Sequence, residues 1–402
     1  MIKKKSIVTE KDATYLKDNK IPPPVHYHQD SGLSLGTKPR ESNLELYRIV
    51  CMLMIVAHHY VVNSRLFDSG GPLVTEPTSA NSLYLALFGA WGKVGINCFL
   101  MITGYYMCTS HITFRKFLKL MLQIYFYKLL LFPILLIAGY EKISLLRIFY
   151  LIMPVRTFAT GDFVSCFIAF WLTIPFLNRL IQNLKEREHA ILILLSLLLF
   201  TLFGSIPTFS VPLNYITWFG VIYFIASFFR LYPHQIFECG KFWGGMTLLI
   251  LIISLLSVTI IHIVIGQKGF GYTYYFMRDS NKINAVAFAV SSFLWFKNLN
   301  IGYSKVINAF GAGTFGVLLI HANSTAMRKW LWMDAVDCVG HYDLPLFSLM
   351  LYSVGVVVAI FVTCNLIDQL RIATIEKWFF NWYDKKYASK ADSFVNKLLI
   401  GE

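Results

Sequence analysis

Long apolar runs recur along the whole chain, and they constrain its fold more than any other feature. About twenty apolar residues are enough for a helix to cross the hydrocarbon core of a bilayer. Of the 402 residues, 56% are hydrophobic and 14% are charged, and the mean hydropathy is +0.57. The runs predicted to be membrane spans are 44–64, 83–107, 117–138, 163–181, 189–204, 213–230, 243–265, 283–297, 307–327 and 345–366. We therefore expect an all-α polytopic membrane protein with about ten transmembrane helices.

The distribution of Lys and Arg predicts the orientation of these spans. The formal net charge is +14, and most of the 36 Lys and Arg residues fall in segments that share one side if the spans alternate in direction. Segments rich in Lys and Arg remain in the cytoplasm. Both termini are therefore expected in the cytoplasm, and the protein in the inner (cytoplasmic) membrane of the cell. The basic excess is explained by topology, so no nucleic-acid partner is expected.

Three regions follow from this pattern. Residues 1–43 are polar and proline-containing, which predicts a cytoplasmic tail, and residues 44–366 form the transmembrane domain. Residues 367–402 mix aromatic residues with lysines, which is typical of a cytoplasmic or interfacial segment. A short apolar stretch at 143–155 is interrupted by Arg147 and is predicted to be interfacial or re-entrant. No soluble domain is predicted, so any chemistry takes place in or beside the membrane.

Arg48 and His59 are the most informative pair of polar residues in the first span. Eleven residues are about three helical turns, so the two side chains lie on nearly the same face, about 16 Å apart along the axis. Ionisable residues inside a span are costly and usually functional. A neutral imidazole suits a general base, and a guanidinium suits phosphate binding. The alternative is structural: the Arg reaches the interface and the His bonds to a neighbouring helix.

A few other ionisable residues fall inside predicted spans. Lys93 and His321 are expected at a depth similar to that of His59, where the three could line one cavity. Lys128 is predicted to be structural, either bonded to a backbone carbonyl or reaching toward the interface, and His262 is predicted to contact lipid headgroups at the outer end of its span. Glu45 lies three residues from Arg48 and could pair with it.

Common soluble-enzyme motifs are missing or out of context. Residues 32–36 fit the GxSxG pattern, but no strand precedes them and no helix follows, as a nucleophile elbow requires. There is no P-loop, HExxH or dinucleotide fingerprint. The seven cysteines are scattered without a CxxC pair, so neither disulfides nor a metal site is expected.

Four motifs in order resemble acyltransferase family three, whose members are membrane enzymes that O-acylate surface polysaccharides and lipids in bacteria. Arg48 and His59 with ten residues between them resemble its Arg-X10-His signature. The stretch 92–105 resembles its second-helix pattern, 175–178 follows an aromatic-rich helix as in many members, and 315–321 resembles its late FG-x-x-x-x-H segment. The resemblance covers most of 44–366.

This resemblance implies a transferase of groups other than amino-acyl groups. It implies transfer of an acyl group, most often acetyl, from cytoplasmic acetyl-CoA or another acyl-CoA to a hydroxyl of a surface or lipid-linked saccharide. His59 would act as base or acyl relay and Arg48 would position the donor. Lys93 and His321 would shape the acceptor or oxyanion site, and Asn97 would bind the acceptor. Beyond these substrates and the bilayer, glycan-assembly proteins are candidate partners, and no permanently bound cofactor is implied.

The chain departs from the family pattern at the third helix. Members often carry an Arg-x-x-Arg pair there, thought to face the acyl-CoA. Here the basic residues are Arg115, Lys116 and Lys119. Arg115 and Lys119 are the candidates for donor contact at this end of the helix.

Two other functions fit a helical membrane protein with embedded charge. A transporter or exporter of a glycan precursor would need no covalent chemistry, although we find no internal repeat of the kind common in transporters. An inactive scaffold of a glycan-assembly complex is the third possibility.

Overall fold

The computed structural model describes residues 41–110, 112–153, 155–156 and 162–387. Most of the predicted tail at 1–43, including the GxSxG pattern, lies outside these residues, as does the end of the predicted C-terminal segment. Every regular element in the described part of the chain is helical. The prediction of an all-α fold is therefore confirmed.

Twelve principal helices, α1 to α12, follow one another along the described chain. In order they are Ser42–Val62, Ala80–Met107, Phe114–Ile137, Leu145–Ile152, Phe163–Asn183, Glu186–Ser205, Tyr215–Leu231, Gly240–Lys268, Ile283–Lys297, Lys305–His321, Thr325–Ala335 and Leu346–Lys386. Helix α2 consists of Ala80–Phe88 and Gly92–Met107, joined by a short break. Short helical turns at Pro72–Thr75, Gln235–Glu238 and Phe270–Thr273 lie between the principal helices.

Seven helices in the described residues are long and apolar enough to cross a membrane: α1, α2, α3, α5, α6, α8 and α12. Helices α10 and α11 pass the same test together but are bent by 92°, which would make an eighth span. Helices α7 and α9 are apolar but shorter. A multi-pass membrane protein is thus established, while the count of ten spans depends on whether α7, α9 and the bent pair also cross.

The first helix is packed in the centre of the bundle. Helix α1 contacts α2, α9, α10 and α12. In the most apolar part of α1, 56% of the residues are buried inside the protein, and in α2 67% are, against 22% in α3 and 17% in α8. The central helices therefore bury polar side chains within the protein, whereas the peripheral helices expose apolar surface suited to lipid.

Glycines allow α2 to approach α1 closely. A Cβ atom at Gly92 would lie 2.2 Å from Cδ2 of His58, and one at Gly95 would lie 2.7 Å from Cγ1 of Ile55. Only residues without a side chain fit at such contacts, and close backbone approach is how many membrane helices gain packing energy. The glycines of the second-helix motif therefore let α2 pack closely against α1 next to His59, the candidate base.

We expect Gly92→Ala to destabilise the folded protein by about 1–3 kcal/mol, because the added methyl group must push α2 away from His58. Gly245→Ala in α8 is the matched control, since nothing lies within 4 Å of a Cβ there. Thermal unfolding in a neutral detergent measures both. Equal midpoints for the two variants would contradict the packing role.

The C-terminal helix is continuous across the boundary predicted at residue 366. Helix α12 begins at Leu346, passes through a π-helical turn at Ile372–Glu376 and ends at Lys386. The predicted transmembrane domain and the following segment therefore share one helix, and Glu376 and Asp384 of that segment pair with cations of α3, as described below.

Candidate active site

His59 and His321 meet in the centre of the bundle. The Nδ1 atom of His59 lies 2.9 Å from Nε2 of His321, although 262 positions separate them in the chain. His59 projects from α1 and is partly exposed, whereas His321 is fully buried at the end of α10, immediately before the 92° bend. The structure thus brings together two of the predicted site residues.

The hydrogen bonds of His321 determine which nitrogen of His59 is free. Nδ1 of His321 lies 2.6 Å from the carbonyl oxygen of Val317, and because a carbonyl only accepts, this nitrogen carries the proton. A second proton on His321 would bury another cation close to the charge of Arg328. Nε2 of neutral His321 therefore accepts the Nδ1–H of His59. The remaining nitrogen of His59, Nε2, keeps its lone pair and makes no hydrogen bond within the described residues.

His58 has a separate, structural role. It is buried, and its Nδ1 donates to the carbonyl oxygen of Gly89 at 2.6 Å, in the break of α2. Adjacent residues on a helix point about 100° apart, so His58 does not replace His59 at the site.

Lys93 lies near His59, at the start of the second half of α2. Its Nζ donates to the hydroxyl of Tyr215 at 2.7 Å, and its charge is close enough to interact electrostatically with His59. The side-chain hydroxyl of Ser280 reaches the Lys93 carbonyl oxygen, which ties α2 to the segment before α9. The role of Lys93 in the site stays a prediction, and its partner Tyr215 is one that the sequence did not reveal.

Arg48 lies about three turns below His59 on the same helix. Its nearest acid is Glu45, with 3.8 Å between Nη1 and Oε1. Its Nε is buried and has no hydrogen-bond partner within the described residues. A guanidinium with this unused donor is suited to binding an anion from elsewhere.

Two aromatic residues and a second arginine lie at the same end of the bundle as Arg48. Arg230 donates to the hydroxyl of Tyr105 at 3.1 Å, and its guanidinium stacks over that ring at 4.9 Å. Tyr106 donates to Glu41 at 3.1 Å, and Arg48 interacts electrostatically with Tyr106. Sequence reasoning assigned Arg230 only to a basic inner segment, because nothing local indicates that α7 packs on α2.

Most of the chain matches a known protein family. A family model described as an acyltransferase domain matches residues 41–367, most of the chain. The chain belongs to acyltransferase family 3. No curated protein and no solved structure matches it. The predicted family is thereby confirmed, and the bundle with its paired histidines is that of a membrane acyltransferase.

Asn97 is fully enclosed in the bundle of this family 3 acyltransferase. Its Nδ2 donates to the carbonyl oxygen of Ser280 at 2.7 Å, and its Oδ1 accepts from Nε1 of Trp218 at 2.9 Å. Both ends of the amide are therefore occupied by the protein. Its predicted contact with the acceptor stays a prediction, and the observed bonds give Asn97 the role of fixing α2 against α7.

Arg115 and Lys119 of the acyltransferase pair with acids of the C-terminal helix. Arg115 binds Asp384 through two hydrogen bonds of 2.8 and 2.9 Å, and Lys119 lies 2.5 Å from Glu376. A donor phosphate would have to compete with these carboxylates. Their contact with the acyl donor remains a prediction, and it has less structural support than the donor contact predicted for Arg48.

Glu376 continues into a buried ionic network. Arg371 bonds Glu376 at 2.8 Å and Asp368 at 2.7 Å, and Asp368 also accepts from Tyr127 at 2.7 Å. The side chains of Arg371 and Asp368 are 1% and 0% exposed. The network joins α12 to α3, so the basic start of α3 has a structural function that local sequence could not reveal.

Two further ionisable residues are structural. Lys128 donates to the carbonyl oxygens of Tyr150 and Met153 at 3.2 and 3.1 Å, as predicted. The headgroup contact predicted for His262 is wrong: this residue is fully buried and bonded to Ser82 and Thr273. The C-terminal part of α8 around His262 is covered by other parts of the protein, which hydropathy alone does not indicate.

Arg328 is the residue near the histidines that sequence reasoning missed, since it was counted as an ordinary outer-segment cation. It lies in α11, directly after the bend, and interacts electrostatically with both His59 and His321. Its Nε is buried and has no hydrogen-bond partner within the described residues. The described residues contain no cluster of three or more His, Cys, Asp or Glu side chains suited to a metal ion.

Proposed function

We propose that this acyltransferase moves an acetyl group from cytoplasmic acetyl-CoA to a hydroxyl of a surface or lipid-linked saccharide at the outer face of the inner membrane. The observation that carries the proposal is the free Nε2 of His59, oriented by a buried His321. A histidine with one nitrogen held and the other unoccupied is the arrangement that general-base catalysis needs.

In the proposed reaction, Nε2 of His59 accepts the proton of the acceptor hydroxyl as its oxygen attacks the thioester carbonyl. The carbon–sulfur bond then breaks, and the coenzyme thiolate takes up the proton from His59, so that the products are the ester and the free thiol. His321 acts as a positioning residue, because its bond to Nδ1 fixes the tautomer and stabilises the transient imidazolium. Lys93, with the Tyr215 hydroxyl, supplies positive charge for the developing oxyanion.

We assign the donor to the end of the bundle that carries Arg48. The phosphates of coenzyme A need cations with unused donors, and Arg48 and Arg230 supply two at the same end of the bundle. Arg115 and Lys119 would take part only if they exchanged their carboxylate partners for phosphate. The donor would reach His59 along α1, over a distance of about 16 Å.

The proposed donor-to-acceptor path along α1 requires one orientation of the protein in the membrane. Both termini would lie in the cytoplasm, and ten spans result if the shorter α7 and α9 and the bent α10–α11 pair all cross. The arrangement would place Arg48 toward the cytoplasm and His59 toward the outer half of the bilayer. The excess of Lys and Arg in the segments predicted to be inner supports it.

We expect Arg48→Gln to raise the KM for acetyl-CoA by about tenfold or more, because a hydrogen bond to a charged group contributes about 1.5–3 kcal/mol. Steady-state release of the coenzyme thiol by the purified protein measures it. Arg187→Gln is the control, since Arg187 is an exposed cation of the predicted inner side. An unchanged KM in Arg48→Gln would remove this residue from the donor site.

Mass spectrometry of the cell-surface saccharide, with and without the gene, separates the enzyme from a transporter. If the protein is the acetyltransferase, deletion of its gene should remove mass increments of one acetyl group per modified sugar and leave the saccharide on the surface. Unchanged modification combined with altered export would overturn the proposal in favour of transport.

A further inference from the structure

A small pocket of about 70 Å³ lies beside the bend that follows His321. It is formed by α3, the segment after α3, α4, the segment after α4 and the turn between α10 and α11. The polar side chains that line it are Lys128, Glu141, Arg147, Arg156, Asn323 and Ser324. Asn323 and Ser324 are two and three positions beyond His321, so the pocket adjoins the proposed catalytic pair.

Positive charge predominates in this pocket. Three of its lining residues are cations and one is an acid. Glu141 is already engaged by Arg147, with 3.5 Å between Oε2 and Nε. The guanidinium of Arg156 stacks over the ring of Tyr150 at 5.1 Å and has no ion pair within the described residues. The pocket therefore carries cationic charge that nothing in its lining neutralises.

Arg328 connects this charge to the histidines. It interacts electrostatically with Arg156 and Asp162 and also with His59 and His321. The Asp162 carboxylate, which lies outside the lining, accepts from the backbone N–H and the hydroxyl of Ser165 at the start of α5, and its charge also acts on Lys128. Arg328 is thus coupled electrostatically both to Arg156 of the pocket and to the proposed catalytic pair.

Helix α4 indicates where such an anion comes from. Arg147, Tyr150 and Leu151 of this helix line the pocket. Its other side chains are large, apolar and exposed, namely Leu145, Leu146, Ile148, Phe149 and Ile152. An amphipathic helix of this kind lies in the plane of the membrane interface with its apolar face in the lipid. The wall of the pocket is therefore at the depth of lipid headgroups.

We infer that this pocket binds the phosphate group of a membrane-anchored molecule, the anionic head of a lipid-linked acceptor. Guanidinium groups bind phosphate oxygens bidentately, and Arg147 and Arg156 present two of them next to the Lys128 ammonium. The phosphate would hold the acceptor while its sugar hydroxyl reaches Nε2 of His59. This inference rests on the proposed function for the identity of the bound molecule as acceptor.

The test is a binding measurement that involves no acyl transfer. The full-length protein in a neutral maltoside detergent is titrated with dioleoylphosphatidic acid, and bound lipid is counted by native mass spectrometry. Dioleoylglycerol, which has the same chains without the phosphate, is the comparison ligand. Arg156→Gln changes an exposed side chain, so it tests the pocket without endangering the fold, and Arg147→Gln with Arg156→Gln is the stronger variant. Lys142→Gln is the matched control, since Lys142 is an exposed neighbouring cation outside the lining.

We expect phosphatidic acid to bind more tightly than dioleoylglycerol, and Arg156→Gln to weaken it about tenfold while Lys142→Gln leaves it unchanged. Equal binding to wild type, Arg156→Gln and the double variant would overturn the inference. Displacement of the lipid by inorganic pyrophosphate at comparable concentration would show a soluble phosphate ligand and overturn the membrane-anchored source. Binding that persists in His59→Ala supports the pocket, whatever the fate of the transferase proposal.

Discussion

Replacing His59 by alanine is expected to lower the rate of acetyl transfer by a factor of about 10²–10⁴, the usual contribution of a general base. Neither neighbouring histidine in the described part of the chain can replace the free Nε2 of His59. His58 is bonded to the Gly89 carbonyl, and both nitrogens of His321 are occupied. Release of the coenzyme thiol by the purified protein in proteoliposomes measures the rate.

His234→Ala is the control for this variant, because His234 is an exposed histidine that pairs with Glu186. It should retain the wild-type rate. His321→Ala should fall between the two, with a reduced kcat and a nearly unchanged KM for acetyl-CoA, since His321 orients the base without contacting the donor. A wild-type rate in His59→Ala would show that the base is another group.

The second large effect concerns stability and the buried network of α12. Asp368→Ala is expected to lower the free energy of unfolding by about 3–5 kcal/mol, because it leaves the Arg371 guanidinium buried with one partner fewer. Tyr127 also loses its acceptor. The measurement is thermal unfolding in detergent together with the yield of monodisperse protein.

Asp384→Ala is the matched control for the network. It also removes one carboxylate of α12 from an arginine, but Arg115 and Asp384 are 46% and 42% exposed. An exposed ion pair contributes about 0–1 kcal/mol. If the two variants lower the unfolding midpoint equally, the network does not hold α12 against α3.

Features set by local periodicity could be predicted from the sequence. The apolar runs predicted an all-helical membrane protein, and the spacing of Arg48 and His59 predicted their shared helix face, because helical geometry alone determines both. The stretch around Arg147 forms only the short helix α4, in keeping with its interruption by a basic residue, and its interfacial or re-entrant placement stays a prediction. The carbonyl bonds of Lys128 followed from the cost of leaving an ammonium unsatisfied in lipid.

Features set by distant contacts could not be predicted in this way. The bond between His59 and His321 spans 262 positions, and the partners of Arg115 and Lys119 lie near the far end of the chain. From the sequence alone, those two cations were predicted to be available for the acyl donor, and His262 was predicted to lie at the lipid interface. Only the packing of α12 on α3, and of other segments over α8, reveals what these side chains contact. The 92° bend after His321, which sets Arg328 beside the histidines, is equally invisible to hydropathy.

The most direct test of acyl transfer through His59 is an isotope-transfer measurement. Inside-out membrane vesicles that contain wild type or His59→Ala at equal levels receive acetyl-CoA carrying two ¹³C atoms in the acetyl group, and their saccharide is analysed by mass spectrometry. We expect labelled acetyl esters with the wild-type protein and none above background with His59→Ala. Labelled esters at equal levels in both, or no label in either while the saccharide is still exported, would contradict transfer of the acetyl group through this histidine.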